Sequence, residues 1–411
     1  MVQEKLVSSE KTKNDNNVYH DEPELRFPEF NDSWKRIKIH EITDSITKGT
    51  TPKNYSEEGI NFIKVENIEN NQIININSYI DVNTHKNELS RSILEKNDLL
   101  FSIAGTLGRT AKVTEDILPA NTNQALAILK INDLNAINVD YVQTRLNCSD
   151  IEKHIFQNLA VGAQPNLNLK QVGDIEIKLP SKSEQDKIQN FINSINKKIE
   201  LLEKKYNEKL IFKEEFFNKY ISSLSKETQK IKLNNLIKIL NDRNKNNDDL
   251  EVLSISNKLG FISQEKQFED RIVASSDTKN YKIVKKGYFA YNPARINVGS
   301  IARLKNYDEG IISPMYIVFK INEDLINPIF FENYLSTNYF KLEILKRLEG
   351  SVRLILSAES LKNIEIFIPP LDEQDKISLF MITLTKSLEL SKIELDNFKE
   401  FKKGLLQKMF V

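Results

Sequence analysis

Apolar side chains recur at alternating steps of four and three residues along two long stretches of the chain. In the first, positions 188, 192, 195, 199, 202, 206, 209, 213, 216 and 220 hold Ile, Ile, Ile, Ile, Leu, Tyr, Lys, Lys, Phe and Tyr. In the second, the positions 189 residues further on hold Ile, Met, Leu, Leu, Ser, Leu, Phe, Lys, Leu and Met. This is a heptad seam, in which one narrow stripe of a helix faces a partner helix. A lone helix with such a stripe needs cover, and the nearest cover is the other copy. The pattern predicts two long helices pairing through Ile188, Ile192, Ile195, Ile199, Leu202 and Tyr206 of one and Ile377, Met381, Leu384, Leu388, Leu395 and Phe398 of the other. A helix from 188 to 220 rises about 48 Å. Lys209, Lys213 and Lys402 interrupt the seam, either as snorkelling side chains or as places where the helices part. Ser183 and Asp372 are the expected caps of first turns that carry Glu184 and Glu373.

The approach to each helix is repeated as well. Residues 175–188 read IEIKLPSKSEQDKI and residues 364–377 read IEIFIPPLDEQDKI. Both run from an alternating Ile-Glu-Ile strand through Pro180 or Pro369 into Glu-Gln-Asp-Lys-Ile. Looser matches lie upstream. Arg36–Ile39 resembles Lys230–Leu233, Ile93–Asp98 resembles Ile283–Tyr288, and Ala125–Ile131 resembles Met315–Ile321. These are short β-leaning runs separated by Gly, Asn, Asp and Pro, with one or two helices expected near 139–159 and 328–348. The expected fold is α+β. A flexible tail (1–20) is followed by a strand-rich domain (21–180), a helical segment (181–228), a second strand-rich domain (229–370) and a second helical segment (371–411).

Composition narrows the chemistry. Of 411 residues, 40% are hydrophobic and 28% charged, enough to build cores. Lys and Arg number 58 against 58 Asp and Glu, which argues against a protein that coats nucleic acid indiscriminately. The balance is uneven: residues 21–180 hold 17 basic and 23 acidic side chains, residues 229–370 hold 21 and 17. Any DNA contact by the first domain must therefore use a focused patch. Cys148 is the single cysteine, which excludes an intrachain disulfide or a cysteine-rich metal site, and is expected to be a partly buried, inert thiol. His20, His40, His85 and His154 show no ligand spacing. The polar start and the lack of a long apolar run point to a cytoplasmic protein away from membranes.

Catalytic motifs are missing from the sequence. Gly105-Thr106-Leu107-Gly108-Arg109-Thr110 lacks the spacing and lysine of a phosphate-binding loop and reads as a turn between strands. Asn292-Pro293-Ala294-Arg295 lacks the second proline and aromatic platform of an adenine methyltransferase site. No acidic pair stands out.

Taken together, the duplication, the opening Pro23-Glu24-Leu25-Arg26-Phe27-Pro28, the Ile46–Pro52 glycine–threonine–proline turn, Asn292–Ile301 and Gly350–Arg353 resemble the specificity (S) subunits of type I restriction–modification systems, the HsdS family. The likeness covers about residues 23–411. It departs at Asn241-Asp242-Arg243-Asn244, which stands where the first half has its Lys48–Pro52 turn, and after Gly162 and Gly350, where the halves differ. The resemblance implies two target-recognition domains held by an antiparallel coiled coil of the two conserved helices, with internal pseudo-twofold symmetry. It implies a double-stranded DNA partner with a bipartite, asymmetric target. Two modification (methyltransferase) subunits and two restriction (ATPase/nuclease) subunits complete the expected assembly. S-adenosylmethionine, ATP and Mg would serve those partners, with no cofactor, metal or catalytic residue in this chain.

Candidate DNA contacts follow from residue type. Lys48, Thr50 and Lys53 flank a Gly–Pro turn and suit phosphates. Gln164 and Asn166 carry amides suited to adenine, and Arg295, Asn297 and Arg353 occupy turns from which guanine can be read. The alternative for each of these is a solvated loop, and Lys258, Arg271, Lys279 and Lys282 could equally form a solvated face. Two further readings stay open: a two-domain coiled-coil adaptor that binds protein without recognising DNA, and a methyltransferase in its own right.

Overall fold

The structure is a computed structural model that describes residues 23–157, 166–224, 228, 230–257, 259–264, 278–350 and 354–410. The chain packs as two compact units, Met1–Leu201 with Leu395–Val411, and Leu202–Glu394.

The first unit runs β1 (Lys35–Lys38), β2 (Thr43–Lys48), β3 (Ile60–Ile63), β4 (Ile68–Glu69), β5 (Gln72–Ile73), β6 (Tyr79–Ile80), β7 (Leu99–Ser102), β8 (Thr110–Lys112), β9 (Ala120–Thr122) and β10 (Leu126–Ile131). It continues through α1 (Val139–Leu146), α2 (Ser149–Gln157), α3 (Leu169–Gly173) and β11 (Glu176–Leu179) into α4 (Lys182–Leu224). A four-stranded sheet of order β2-β10-β7-β8 forms the middle layer. Its alternating side chains fill two different cores, as the period of two in a strand dictates. Leu99 and Phe101 of β7, with Ala127 and Leu129 of β10, pack beneath the helices. Leu100, Leu126 and Ile128 pack on the opposite face with Ile63 and Ala120. That face is covered by a sheet of order β6-β3-β9, in which β3 and β9 run parallel. A separate pair joins β1 to β11.

The second unit repeats this plan with β12 (Lys230–Lys232), β13 (Ile237–Leu240), β14 (Val252–Ser256), β15 (Gly260–Ser263), β16 (Lys282–Lys285), β17 (Phe289–Tyr291), β18 (Ile301–Arg303), β19 (Glu309–Ile312) and β20 (Ile317–Ile321). Then come α5 (Pro328–Tyr334), α6 (Asn338–Leu345), α7 (Ala358–Lys362), β21 (Glu365–Phe367) and α8 (Leu371–Met409). The middle sheet has the order β13-β20-β17-β18, the matching order, and β12 pairs with β21. Phe289, Tyr291 and Phe319 face the helices while Ala290 and Val318 face the second core. The covering sheet, β15-β14-β19-β16, again holds one parallel pair, β14 with β19. The first unit reduces its counterpart of β16 to a bridge between Ile93 and Asn121. The helical stretches expected near 139–159 and 328–348 are each split in two, by Asn147-Cys148 and by Leu335-Ser336-Thr337.

The repeated Glu-Gln-Asp block has a specific task. Asn138, the N-cap of α1, donates its backbone N–H to Gln185 Oε1 (2.8 Å) and its amide to Asp186 Oδ1 (2.6 Å). Gln185 Nε2 in turn donates to the carbonyls of Ala136 and Pro180. In the second unit Asn327, the N-cap of α5, meets Gln374 Oε1 (2.9 Å) and Asp375 Oδ1 (2.8 Å), and Gln374 Nε2 reaches the carbonyls of Leu325 and Pro369. Glu184 accepts two bonds from Arg26, and Glu373 accepts one from the Tyr220 hydroxyl. Ser183 and Asp372 are not the caps expected of them: α4 starts at Lys182 and α8 at Leu371, so both lie inside the first turn.

No seam position of α4 or α8 is exposed. In the first unit Ile188 and Ile192 pack with Met409, Phe410, Trp34 and Tyr141, and Lys198 lies over the Phe398 ring. In the second, Phe216 meets Phe380 with ring centroids 4.7 Å apart, and Lys392 lies over Tyr206. Within each unit, rising numbers on α4 meet falling numbers on α8, so the segments run antiparallel. Lys209 does not mark a parting of the helices. Its Nζ donates to the hydroxyls of Ser387 (2.7 Å) and Ser391 (2.8 Å). Burial holds the ammonium groups of Lys213 and Lys402 below their ordinary range.

Candidate nucleic-acid interface

In each unit, one end of the middle sheet gathers the candidate contact residues. β2 ends at Lys48, and Gly49 then donates its N–H to the carbonyl of Leu126 (3.1 Å) while Thr50 N donates to Thr122 O (3.0 Å). A Cβ on Gly49 would stand 2.1 Å from Thr122 O and 2.2 Å from Asn123 O, so only glycine allows this approach. Pro52 is buried beneath the turn, leaving Lys48, Thr50 and Lys53 exposed on it. At the same end Ile103 N donates to Ala125 O, and Leu167 N donates to Ile103 O (2.9 Å). The latter bond brings exposed Asn166 alongside the β7–β8 turn. That turn is closed by Ser102 Oγ, which donates to Thr106 O and accepts from Arg109 N. Arg109 is occupied on Ile68 O and serves the fold. Gln164 and Arg353 lie outside the described residues.

The matching end of the second sheet is built from the 292–300 loop. Asn292 N donates to Ser300 O, and both Arg295 N to Asn292 O and Ser300 N to Arg295 O close the loop from within. A 3-10 turn, Ile296–Val298, ends in Gly299 at φ 91°, a left-handed conformation suited to glycine. The buried Asn292 amide donates to Met315 Sδ (3.7 Å), and its Oδ1 accepts from Ala294 N. Asn292-Pro293-Ala294 is therefore a structural turn. Arg295 and Asn297 project from a loop whose backbone is bonded to itself, a pre-organised display of two exposed polar side chains. Pro293 O accepts from Leu356 N, as Ile103 O accepts from Leu167 N in the first unit.

Some residues at this end escaped the sequence reading. Arg243 follows β13 as the Lys48–Lys53 turn follows β2, and that positional match was the available signal. It is exposed, with Nη1 bonded to Asn280. Met315 and Asn257 share a cleft with Arg295. Lys282, read as part of a solvated face, is instead buried, with Nζ donating to Tyr316 O (2.7 Å). Burial, and then the nearby Arg243, hold its ammonium below the ordinary lysine range.

Cys148 is buried among Trp34, Tyr141 and Ile188, and that burial pushes its thiol up to about 11, leaving it a poor nucleophile at neutral pH. Among the described residues, no cluster of His, Cys, Asp and Glu is arranged to hold a metal, and no helix is long and apolar enough to cross a membrane.

Residues 31–210 and 222–397 match the family described as type I restriction modification DNA specificity domain, one match for each half of the duplication. The chain belongs to this family. Over 160 residues it is 29% identical to the type I restriction enzyme EcoBI specificity subunit of Escherichia coli. That stretch is 38% of this chain and 32% of the relative, so the match spans about a third of the relative's length. The S subunit of a type I restriction-modification system from M. genitalium has a similar fold, with TM-score 0.57 at 16% identity over 95% of this chain and 99% of that one. The HsdS subunit from Thermoanaerobacter tengcongensis is similar at TM-score 0.51 and 14% identity, covering 92% and 96%. At these identities the likeness is one of fold. The two-domain, long-helix architecture is thus that of the specificity-subunit fold.

Beyond the sheet ends, the paired helices expose large apolar side chains. In the first unit these are Phe191, Leu201 and Phe401; in the second they include Phe212, Leu379 and Leu390. Phe191 and Phe380 occupy matching positions of the repeat, as do Phe212 and Phe401.

Proposed function

We propose that this chain is the non-catalytic DNA-reading subunit of a type I restriction–modification complex, each domain reading one half of a bipartite, asymmetric duplex target. One observation carries the reading: two domains of the same topology present exposed Lys, Thr and Asn, or Arg and Asn, at the same end of the same sheet. Lys48, Thr50 and Lys53 are suited to phosphates, which fix register. Asn166, Arg295 and Asn297, with Gln164 and Arg353 by residue type alone, are suited to base edges in the major groove. The first domain's acidic excess does not exclude this, because Lys48 and Lys53 stand close together on one exposed turn.

The exposed apolar positions on α4 and α8 suit the second half of the function, assembly. Side chains such as Leu390, 68% exposed, are costly to leave in water on a helix that already has a partner. Two modification subunits that methylate adenine would cover them, one near each repeat. The resulting enzyme would serve two ATP-hydrolysing restriction subunits in the cytoplasm. S-adenosylmethionine, ATP and Mg would be bound by those partners. Helix length would set the gap between half-sites, so a heptad inserted in both helices should change the preferred spacer.

The test is a footprint of the full chain with its modification subunits on selected duplex DNA. Two short protected segments separated by an unspecified gap are expected. A single continuous footprint, or binding that DNA does not compete, would favour a protein-binding adaptor instead.

A further inference from the structure

The two units present different chemistry at equivalent places on the interface. Where the first has Ala125 just before β10, the second has Met315 just before β20. Met315 is 62% exposed yet is not loose: the buried Asn292 amide donates to its Sδ, and the Ser313 carbonyl closes the turn by accepting from Tyr316 N. Behind it, Lys282 is anchored on Tyr316 O. Met315 shares its cleft with Arg295 and the amide of Asn257. An apolar side chain held out to solvent beside an arginine and an amide is a mixed surface. Phosphate backbone offers nothing apolar to such a surface, whereas a major-groove edge offers one group of that kind, the 5-methyl of thymine. Arginine beside it matches the O6 and N7 acceptors of guanine.

We propose that Met315 is a specificity-determining residue of the second domain, contacting the methyl group of a thymine next to a base read by Arg295. The inference rests on the DNA-reading function above and names the chemistry of one half-site. The second half-site would contain a thymine whose identity is read through its methyl. The first domain, with Ala125 at the equivalent position, would make no matching contact.

The experiment uses the full chain with its modification subunits and a duplex carrying the selected target. Each thymine of the second half-site is replaced in turn by deoxyuridine, which removes only the methyl. One such replacement should weaken binding about fourfold, the effect of one buried methyl-sized group. Met315→Ala, at an exposed position, should bind the thymine and deoxyuridine duplexes alike, both at the weakened level. Uniform tolerance of deoxyuridine across that half-site overturns the proposal. So does a loss of equal size in wild type and Met315→Ala. Either outcome leaves sequence-specific DNA binding intact, whereas failure to select any sequence would overturn the DNA-reading function itself.

Discussion

Lys209 donates from its Nζ to the hydroxyl of Ser391 at 2.8 Å, a charged group seated between α4 and α8 within the second unit. Ser387 supplies a second hydroxyl and its own carbonyl a longer third contact. A polar group at one seam position allows only the register that satisfies it, at some cost in stability. Replacing both serines by alanine should destabilise the chain by about 1–3 kcal/mol, because the ammonium keeps its place and loses its hydroxyl acceptors. Adding Lys209→Leu to that background should recover the loss. Urea denaturation of the three variants measures this, and equal midpoints throughout would show that the cluster is inert.

The helix joints make a second case. Asn138→Ala and Asn327→Ala each remove an N-cap and the bond to Asp186 or Asp375. A cost of about 1–2 kcal/mol is expected for each. Gln185→Leu should cost at least as much, since it strands the Asn138 N–H and the carbonyls of Ala136 and Pro180. Thermal melts that leave Gln185→Leu unchanged would refute this account of the repeated block.

Gly49→Ala tests the turn that displays Lys48 and Thr50. The added methyl would clash with the carbonyl oxygens of Thr122 and Asn123, so the end of β2 must move away from the end of β9 and the loop that follows it. Protection of the first half-site should be lost while that of the second persists. Retention of both would mean that the turn does not meet DNA.

Charge contacts predict salt behaviour. Lys48→Ala and Lys53→Ala should each reduce the slope of log affinity against log salt by about 1 and leave the selected sequence unchanged. Arg295→Ala should relax the selection at one base pair, by about 1–3 kcal/mol. Binding selections at two salt concentrations separate these roles.

A pH effect is expected from Asp98. Burial pushes its carboxyl up to about 6, against the opposing bond from Glu95 N and the nearby Lys130. The folded state therefore prefers the protonated acid. That contribution is complete below the ordinary carboxylate range and is lost as pH rises through about 6. The full chain should melt higher at pH 5 than its other groups alone would give. Asp98→Asn should remove this part of the dependence, and an unchanged profile would exclude Asp98 as its source.

The seam was legible in the sequence because each position repeats the same demand along one stripe, and a few polar interruptions leave the period intact. The strand-rich domains were legible as a class, since short alternating runs between turn residues have few other uses. Their pairing was not, because a parallel contact such as Phe62 with Asn121 joins residues that no local pattern relates. Lys282 shows how exposure is misread: a long stem lets a charged residue occupy a buried strand position when its tip finds a carbonyl, here that of Tyr316. Met315 had no signal at all, because an isolated methionine reads as core until its exposure is seen. The role of Gln185 was hidden for a different reason. The repeat marked the residue, but its partner Asn138 is 47 positions away and tied to it only in space.

The same joint has a consequence for how such proteins change. Each domain offers an asparagine cap, and each long helix offers the same Gln-Asp pair to receive it. The candidate contact residues lie at a sheet end and take no part in this joint. One domain can therefore be exchanged for another at a boundary a few residues long, with the junction chemistry already in place. Duplicated joints would let the halves behave as interchangeable parts, and a single crossover within the shared block would join a new pair of domains without a new fold.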